Sequence, residues 1–263
     1  MRMKPTVTQV INWARHAGQI LREGYGKQHD IDHKGRVDLV TEVDRRSEAF
    51  LIEQIRALFP SHTIFSEESG NLIGTDAACW YIDPIDGTTN YAHHLPIFSV
   101  SIAYAEAGQL QIGVIYDPMR DECFSAVRGQ GAYLNGERLH VSSAQDLLHS
   151  LMVTGFPYDA EGVEKNFACF AHFTRLSRGV RRLGSAAIDL CYVAAGRVDG
   201  YWEQSLQAYD MAAGSLIARE AGACVTSLDG DEDIIKPPYS VIAANPAIHT
   251  LMLAEFKAMG FAA

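Results

Sequence analysis

The chain reads as a layered protein of the α/β or α+β class, and three features predict this. Stretches with apolar residues at helical spacing mix along the chain with short apolar runs of strand character. The runs between Ile97 and Val127 follow one another closely, as strands of a meander do. No internal repeat, low-complexity tract or disordered linker interrupts the pattern. The 263 residues fit one large domain or two tightly packed subdomains. A chain of that size buries a substantial core without staples.

Each element has its own signal. Val7, Val10, Ile11, Ala14, Ala17, Ile20 and Leu21 recur at helical spacing and predict a first helix ending near Gly24 and Gly26. The stretch from Val40 to Asp44 leads into a second helix, with Phe50, Leu51, Ile55 and Leu58 on its apolar face and Pro60 as its stop. Ile64–Phe65 and Trp80–Ile82 are strand candidates. The meander follows as Ile97–Ala105, Leu110–Tyr116 and Glu122–Val127, and Asn135–Gly136 marks a tight hairpin turn. Helices are expected over 162–176, 185–195, 211–221 and 247–259, with strands at 198–203 and 240–244. The polar stretch near 142–150 is the best place for an internal division.

Composition narrows the class of partner. With 48% hydrophobic and 21% charged residues the profile is that of an ordinary soluble globular protein. The formal net charge of -10 argues against general nucleic-acid binding. An acidic protein acting on an anion needs cations, from side chains or from metal, to offset repulsion. The five cysteines are odd in number and form no C-x-x-C pair, so they are read as reduced thiols in a reducing cytosol. Met1–Lys4 resembles a signal n-region, but the polar, interrupted stretch from Pro5 to Arg15 follows in place of an apolar h-region. No run approaches the roughly 18 apolar residues of a membrane span. A soluble, cytoplasmic protein is expected.

The most informative segment is Trp80-Tyr81-Ile82-Asp83-Pro84-Ile85-Asp86-Gly87-Thr88-Thr89-Asn90. An apolar strand ends in two aspartates three apart, with Pro84 shaping the turn and Gly87 permitting backbone conformations closed to bulkier residues. Carboxylates this close repel unless protonated or bridged by a cation. Oxygen-rich sites of this kind suit Mg²⁺. Thr88, Thr89 and Asn90 then offer hydroxyls and backbone N–H groups at an expected helix start, a seat for phosphate. A lone D-x-x-D-G also reads as an Asx-type turn with a capping Asp or Thr. Further carboxylates at element ends, Asp44, Glu67–Glu68, Glu203 and Asp210, tip the balance toward a multi-metal site.

Taken in order, these blocks resemble the inositol monophosphatase family, within the lithium-sensitive, magnesium-dependent sugar phosphatases. The matching segments are Val37–Thr41 with Asp44, Glu67-Glu68-Ser69, Asp83–Asn90, Gly184–Ala187, Gly196–Gly200 and Asp210–Gly214. The resemblance is collinear over nearly the whole chain. It implies one domain over 1–263 folded as an alternating αβαβα sandwich of the sugar-phosphatase type. It also implies Glu67, Asp83, Asp86, Asp210 and the Ile85 carbonyl as ligands of two or three Mg²⁺ ions per site. Asp44 and Thr88, with Glu67, would activate the attacking water, and the Gly87 and Thr88 amides would hold the phosphate. Gly184, Ser185, Ala186 and Glu203 would meet the alcohol, with Asp86 and Asp210 beside the substrate. Inositol 1-phosphate is the favoured substrate; fructose 1,6-bisphosphate, histidinol phosphate and a nucleotide 3'-phosphate are the alternatives. A homodimer is implied by the resemblance alone. Three departures stand out: Ser66 and Tyr209 where Gly and Trp are frequent, and the loop from Gln204 to Ala208. The loop bears on substrate identity because it follows Glu203 directly.

Other features carry less. Asp229–Asp233 lacks the ligand order of a calcium loop and reads as a solvated turn. His93–His94 has no third soft ligand at zinc spacing. Gly129-Gln130-Gly131 reads as a turn, and neither a Walker A nor a G-x-S-x-G pattern occurs. Arg175, Arg178, Arg181 and Arg182 form the one basic run. It reads as a solvated face or subunit contact, or as an anion- or RNA-binding patch. The latter grounds a second class of function, a regulatory partner of the transcription machinery.

Overall fold

The computed structural model describes residues 4–27, 31–33, 39–156 and 160–261. Val37 and Asp38 of the first matching block lie outside the described residues. The chain opens with α1 (Val7–Gly24), β1 (Ile31–His33), β2 (Leu39–Thr41), α2 (Glu42–Leu58), β3 (Thr63–Ser66), β4 (Gly70–Leu72), β5 (Ala78–Asp86) and α3 (Thr88–Ala92). The meander follows as β6 (Ser99–Glu106), β7 (Gln109–Asp117), β8 (Glu122–Val127), β9 (Gly131–Leu134) and β10 (Glu137–Arg138). Then come β11 (Leu151–Thr154), α4 (Ala160–Leu176), β12 (Gly179–Arg181), α5 (Ala186–Ala194) and β13 (Gly200–Gln204). The chain closes with α6 (Ala208–Glu220), β14 (Cys224–Thr226), β15 (Ser240–Ala244) and α7 (Pro246–Ala258).

Among the described residues the larger sheet has eight strands in the order β10-β9-β8-β7-β6-β5-β3-β4. A second has five, ordered β12-β11-β13-β15-β14. Helices α1 and α2 pack together on the outer face of the larger sheet, α5 and α6 lie between the sheets, and α4 and α7 cover the far face of the smaller one. This is the αβαβα sandwich. Each interlayer space has its own apolar cluster. Trp13, Leu51, Trp80 and Ile102 fill the first, Ile115, Leu190, Met211 and Val241 the second, and Phe173, Trp202, Ile242 and Phe256 the third. A strand between two helical layers must be apolar on both faces, and β6 and β7 are buried over almost their full length.

The first helix begins with a capping box between Thr6 and Gln9. The second helix differs from expectation at one end, since Leu58 is 40% exposed. Its buried stripe is instead Val43, Asp44, Ser47, Glu48, Leu51 and Ile55. The polar members of that stripe all sit near the helix N-terminus, where it meets the site. Short strands β4, β11, β12 and β14 had no sequence signal of their own, whereas β9 and β10 flank the hairpin turn expected at Asn135–Gly136.

Candidate active site

The carboxyl ends of β3, β5 and β13 meet the N-terminal ends of α3, α5 and α6 around a cleft of about 270 Å³. Glu67, Asp83, Ile85, Asp86, Gly87, Thr88, Gly184, Ser185, Ala186, Glu203 and Asp210 all line it. The site residues that the family resemblance implies are therefore brought to this cleft, except Asp44. That residue is fully buried and reaches the wall through Thr88, whose Oγ1 lies 3.1 Å from Asp44 Oδ1 and 2.9 Å from the Ile85 carbonyl. Glu68 and Asn90, also singled out in the sequence, do not line the cleft.

The pairing of Asp83 and Asp86 depends on an irregular strand. In a regular strand, residues three apart point to opposite faces. Here Asp83 pairs with Ser101 and Asp86 with Ser99, so three steps on β5 oppose two on β6. The extra residue turns both carboxylates to one side. The Ile85 N–H donates to Asp83 Oδ1 at 3.0 Å, and the Pro84 carbonyl accepts from Ser47 Oγ at 3.2 Å. Gly87 follows with φ of 97°, and a β-carbon there would stand 3.0 Å from the Ile97 carbonyl and 3.1 Å from that of Gly184. Glycine is required on both counts.

Asp86 is the bracket between the layers. It accepts hydrogen bonds from Ser185 Oγ, from the Ala187 N–H at 2.9 Å and from the Ala186 N–H at 3.2 Å. The start of α5 is thus tied to the end of β5. Burial pushes Asp86 upward and these donors oppose it. Burial, then the charge of Glu67, pushes Asp83 well above the usual carboxylate range. Burial likewise raises Asp210, against the Gln207 N–H that donates to its Oδ2 at 2.6 Å.

Glu203 is buried on β13, where burial pushes it up to about 7 and the Tyr201 hydroxyl, 2.7 Å from its Oε2, pulls it back. A β-carbon on Gly155 would collide with both carboxylate oxygens of Glu203, so a larger residue there would displace that side chain. Ser205, Leu206 and Gln207, from the loop noted as unusual, line the cleft beside it.

Asn90 departs from the expected phosphate seat. Its Nδ2 donates to the carbonyls of Ile97 at 2.9 Å and Leu183 at 2.8 Å, so the side chain joins two loops and does not line the cleft. Thr89 does line it. Sequence reasoning also missed Glu48, which accepts from Ser66 Oγ, Ser69 Oγ and the N–H groups of Glu68 and Ser69, the last two at 3.0 Å. It thereby moors the turn that carries Glu67. The signal was available, since Asp44, Ser47, Glu48 and Leu51 share one helix face. The Ser66 departure from the family pattern is part of the same mooring. No such signal marked Gly155.

The donor set fits Mg²⁺. Four carboxylates and a carbonyl face one cleft, and their crowding raises the cost of leaving them without a counter-charge. Among the described residues, no three His, Cys, Asp or Glu side chains converge into a ready-made metal cage. Mg²⁺ needs none, because it is commonly held by one or two carboxylates with waters and substrate phosphate completing the octahedron.

The sequence profile of the inositol monophosphatase family matches residues 3–260. The chain belongs to the inositol monophosphatase family. A protein named Nus factor SuhB, from Pasteurella multocida, is 46% identical over 92% of each chain. An inositol-1-monophosphatase from Synechocystis is 48% identical over 81% of this chain and 75% of its own length. Among solved structures, the extragenic suppressor protein suhB of Bartonella henselae superposes with a TM-score of 0.91 at 37% identity, covering 96% of this chain and 99% of that one. Inositol monophosphatase family members are phosphatases of small substrates and depend in general on Mg²⁺. Among the described residues, no helix of this member is long and apolar enough to cross a membrane.

Proposed function

We propose that the chain hydrolyses inositol 1-phosphate to inositol and phosphate by direct in-line attack of water. The carrying observation is the convergence of Glu67, Asp83, Asp86 and Asp210 on one cleft with the Thr88–Asp44 pair in its wall. Those four carboxylates and the Ile85 carbonyl would hold two or three Mg²⁺ ions. Bound there, Mg²⁺ supplies positive charge that acidifies the attacking water and offsets charge on the phosphate and the leaving oxygen. Thr88 Oγ1 takes up the water's proton as its own passes to Asp44 Oδ1. The Gly87 and Thr88 N–H groups hold the phosphate in line, and no covalent phosphoenzyme forms. Glu203 and the Gly184–Ala186 backbone meet the alcohol. A cytoplasmic homodimer completes the reading.

The test is Asp83→Asn and Asp210→Asn, assayed on inositol 1-phosphate at saturating Mg²⁺ with circular dichroism as the folding control. Each is expected to cost on the order of 100-fold or more in kcat, as for loss of a group that stabilises transition-state charge. Near wild-type turnover in either variant would sink the assignment.

A second reading, a regulatory role with the transcription machinery, is favoured by the Nus factor name of the relatives. Arg175, Arg178 and Arg181 are exposed and stand apart from the cleft. Salt-sensitive RNA affinity that disappears when the three become Ala would support it.

A further inference from the structure

Most of the cleft wall is polar: carboxylates, hydroxyls and the guanidinium of Arg182, which lines the cleft while Arg175, Arg178 and Arg181 do not. Two aromatic side chains among the described residues interrupt it, Phe156 and Tyr209. Tyr209 adjoins Asp210 and belongs to the metal end. Phe156 belongs to the alcohol end, because it follows Gly155, and a β-carbon on Gly155 would overlap the Glu203 carboxylate.

The chain holds Phe156 there by a built support. The Gly155 carbonyl accepts from Asn166 Nδ2 at 2.5 Å, and Asn166 Oδ1 accepts from Trp202 Nε1 at 2.9 Å. Asn166 is fully buried on α4, so it ties the end of β11 to that helix and to β13. The same helix backs the ring. Phe156 meets Phe167 edge to face with ring centres 5.0 Å apart, and its ring centre stands 5.8 Å from that of Phe170. Both separations fall in the range that aromatic pairs favour. Phe156 itself is half-buried, so part of its ring is left to the cleft.

The alcohol end thus sets a buried carboxylate beside an aromatic surface. A cyclic polyol in its chair form offers the two complements. Hydroxyls project around its rim, and the face of inositol opposite the axial hydroxyl presents only C–H bonds. Small-molecule pockets commonly work this way, with apolar surface supplying contact and a few polar groups fixing orientation. An open-chain alcohol has no fixed C–H face to lay against a ring.

We infer that Phe156 determines specificity for ring alcohols, packing against the C–H face of a ring whose hydroxyls donate to Glu203. This rests on the phosphatase reading above and deepens it on the alcohol side.

The test compares inositol 1-phosphate with glycerol 2-phosphate, an open-chain ester, at saturating Mg²⁺. Phe156→Ala is expected to lower kcat/KM on inositol 1-phosphate by about 10-fold, the scale of burying part of an aromatic side chain, and on glycerol 2-phosphate by less than about 2-fold. The loss should fall mainly on KM, because packing is made alike in the ground and transition states. Phe156→Tyr should keep most of the preference for the ring ester and Phe156→Leu less of it, and this pair carries the comparison if the alanine variant does not fold. Thermal melts follow the fold. Equal losses on both esters, or a preference unchanged across the variants, overturn the inference and leave the phosphatase reading standing. A wild type inactive on inositol 1-phosphate overturns that reading and the inference with it.

Discussion

At the scale of single residues, Glu203 is where selectivity is expected to reside. It is buried, bonded to Tyr201 and placed outside the proposed ligand set. A site that bonds substrate hydroxyls rejects analogues lacking them, because its own polar group is then left unpaired. Glu203→Gln should lower kcat/KM for a polyol phosphate by on the order of 10-fold more than for p-nitrophenyl phosphate. Parallel steady-state assays check this, and equal losses would assign Glu203 to the metals or the fold. Much of the site was legible because its chemistry is local: Asp83, Ile85, Asp86, Gly87 and Thr88 lie on one strand end. The rest was not. Nothing in the residues near Gly155 announces that Glu203 will press against it, and Arg182 looks no different from Arg181. Their difference arises from which way each side chain leaves the strand end.

At the scale of elements, α7 carries a testable pH response. Its start is capped by Asn245, whose Oδ1 accepts from the Ile248 N–H at 3.0 Å. His249 in the first turn is buried, with Nε2 3.0 Å from Thr226 Oγ1 on β14. Burial holds its ring below the usual histidine range. In the unfolded chain the ring takes up a proton near pH 6.5, and in the folded chain it does so only at lower pH. The stability it contributes is therefore complete above about pH 6.5 and is lost as pH falls toward the folded value. Urea unfolding of wild type and His249→Gln between pH 7.5 and 5.0 should show the wild type losing more stability than the variant as pH falls. Parallel pH profiles would exclude His249 as the source. Helices were legible as elements because their apolar period extends over many residues. Strand β11 was not, since Leu151–Thr154 is four residues long and pairs in parallel with β12 and β13, far along the chain. A run that short has no period to read.

For the whole molecule, the crowded carboxylates predict linkage between metal and stability. Glu67, Asp83, Asp86 and Asp210 come from three elements or turns that meet only in the folded state, so Mg²⁺ binds the native chain and stabilises it by mass action. At 100 times its dissociation constant a single ion adds about 2.7 kcal/mol. That corresponds to roughly 5 °C or more in Tm for a chain of this length. Thermal melts with Mg²⁺ and with excess chelator check it, and identical curves would count against a cation site in the cleft. The sequence by itself determined the layered class, the long helices, the meander and the acidic strand end, because each is written in neighbouring residues through periodicity, turn chemistry or charge. Tertiary structure alone decided that, beside the separate β1–β2 pair, the described strands divide into two large sheets with α5 and α6 between them. It decided that one extra residue in β5 turns Asp83 and Asp86 the same way, and that Asp86 spends its oxygens on the start of α5. It also placed Arg182 in the cleft, away from the other arginines of its run. These depend on register and on contacts between residues up to about a hundred positions apart, as for Asp86 and Ser185, and no local pattern encodes such pairings.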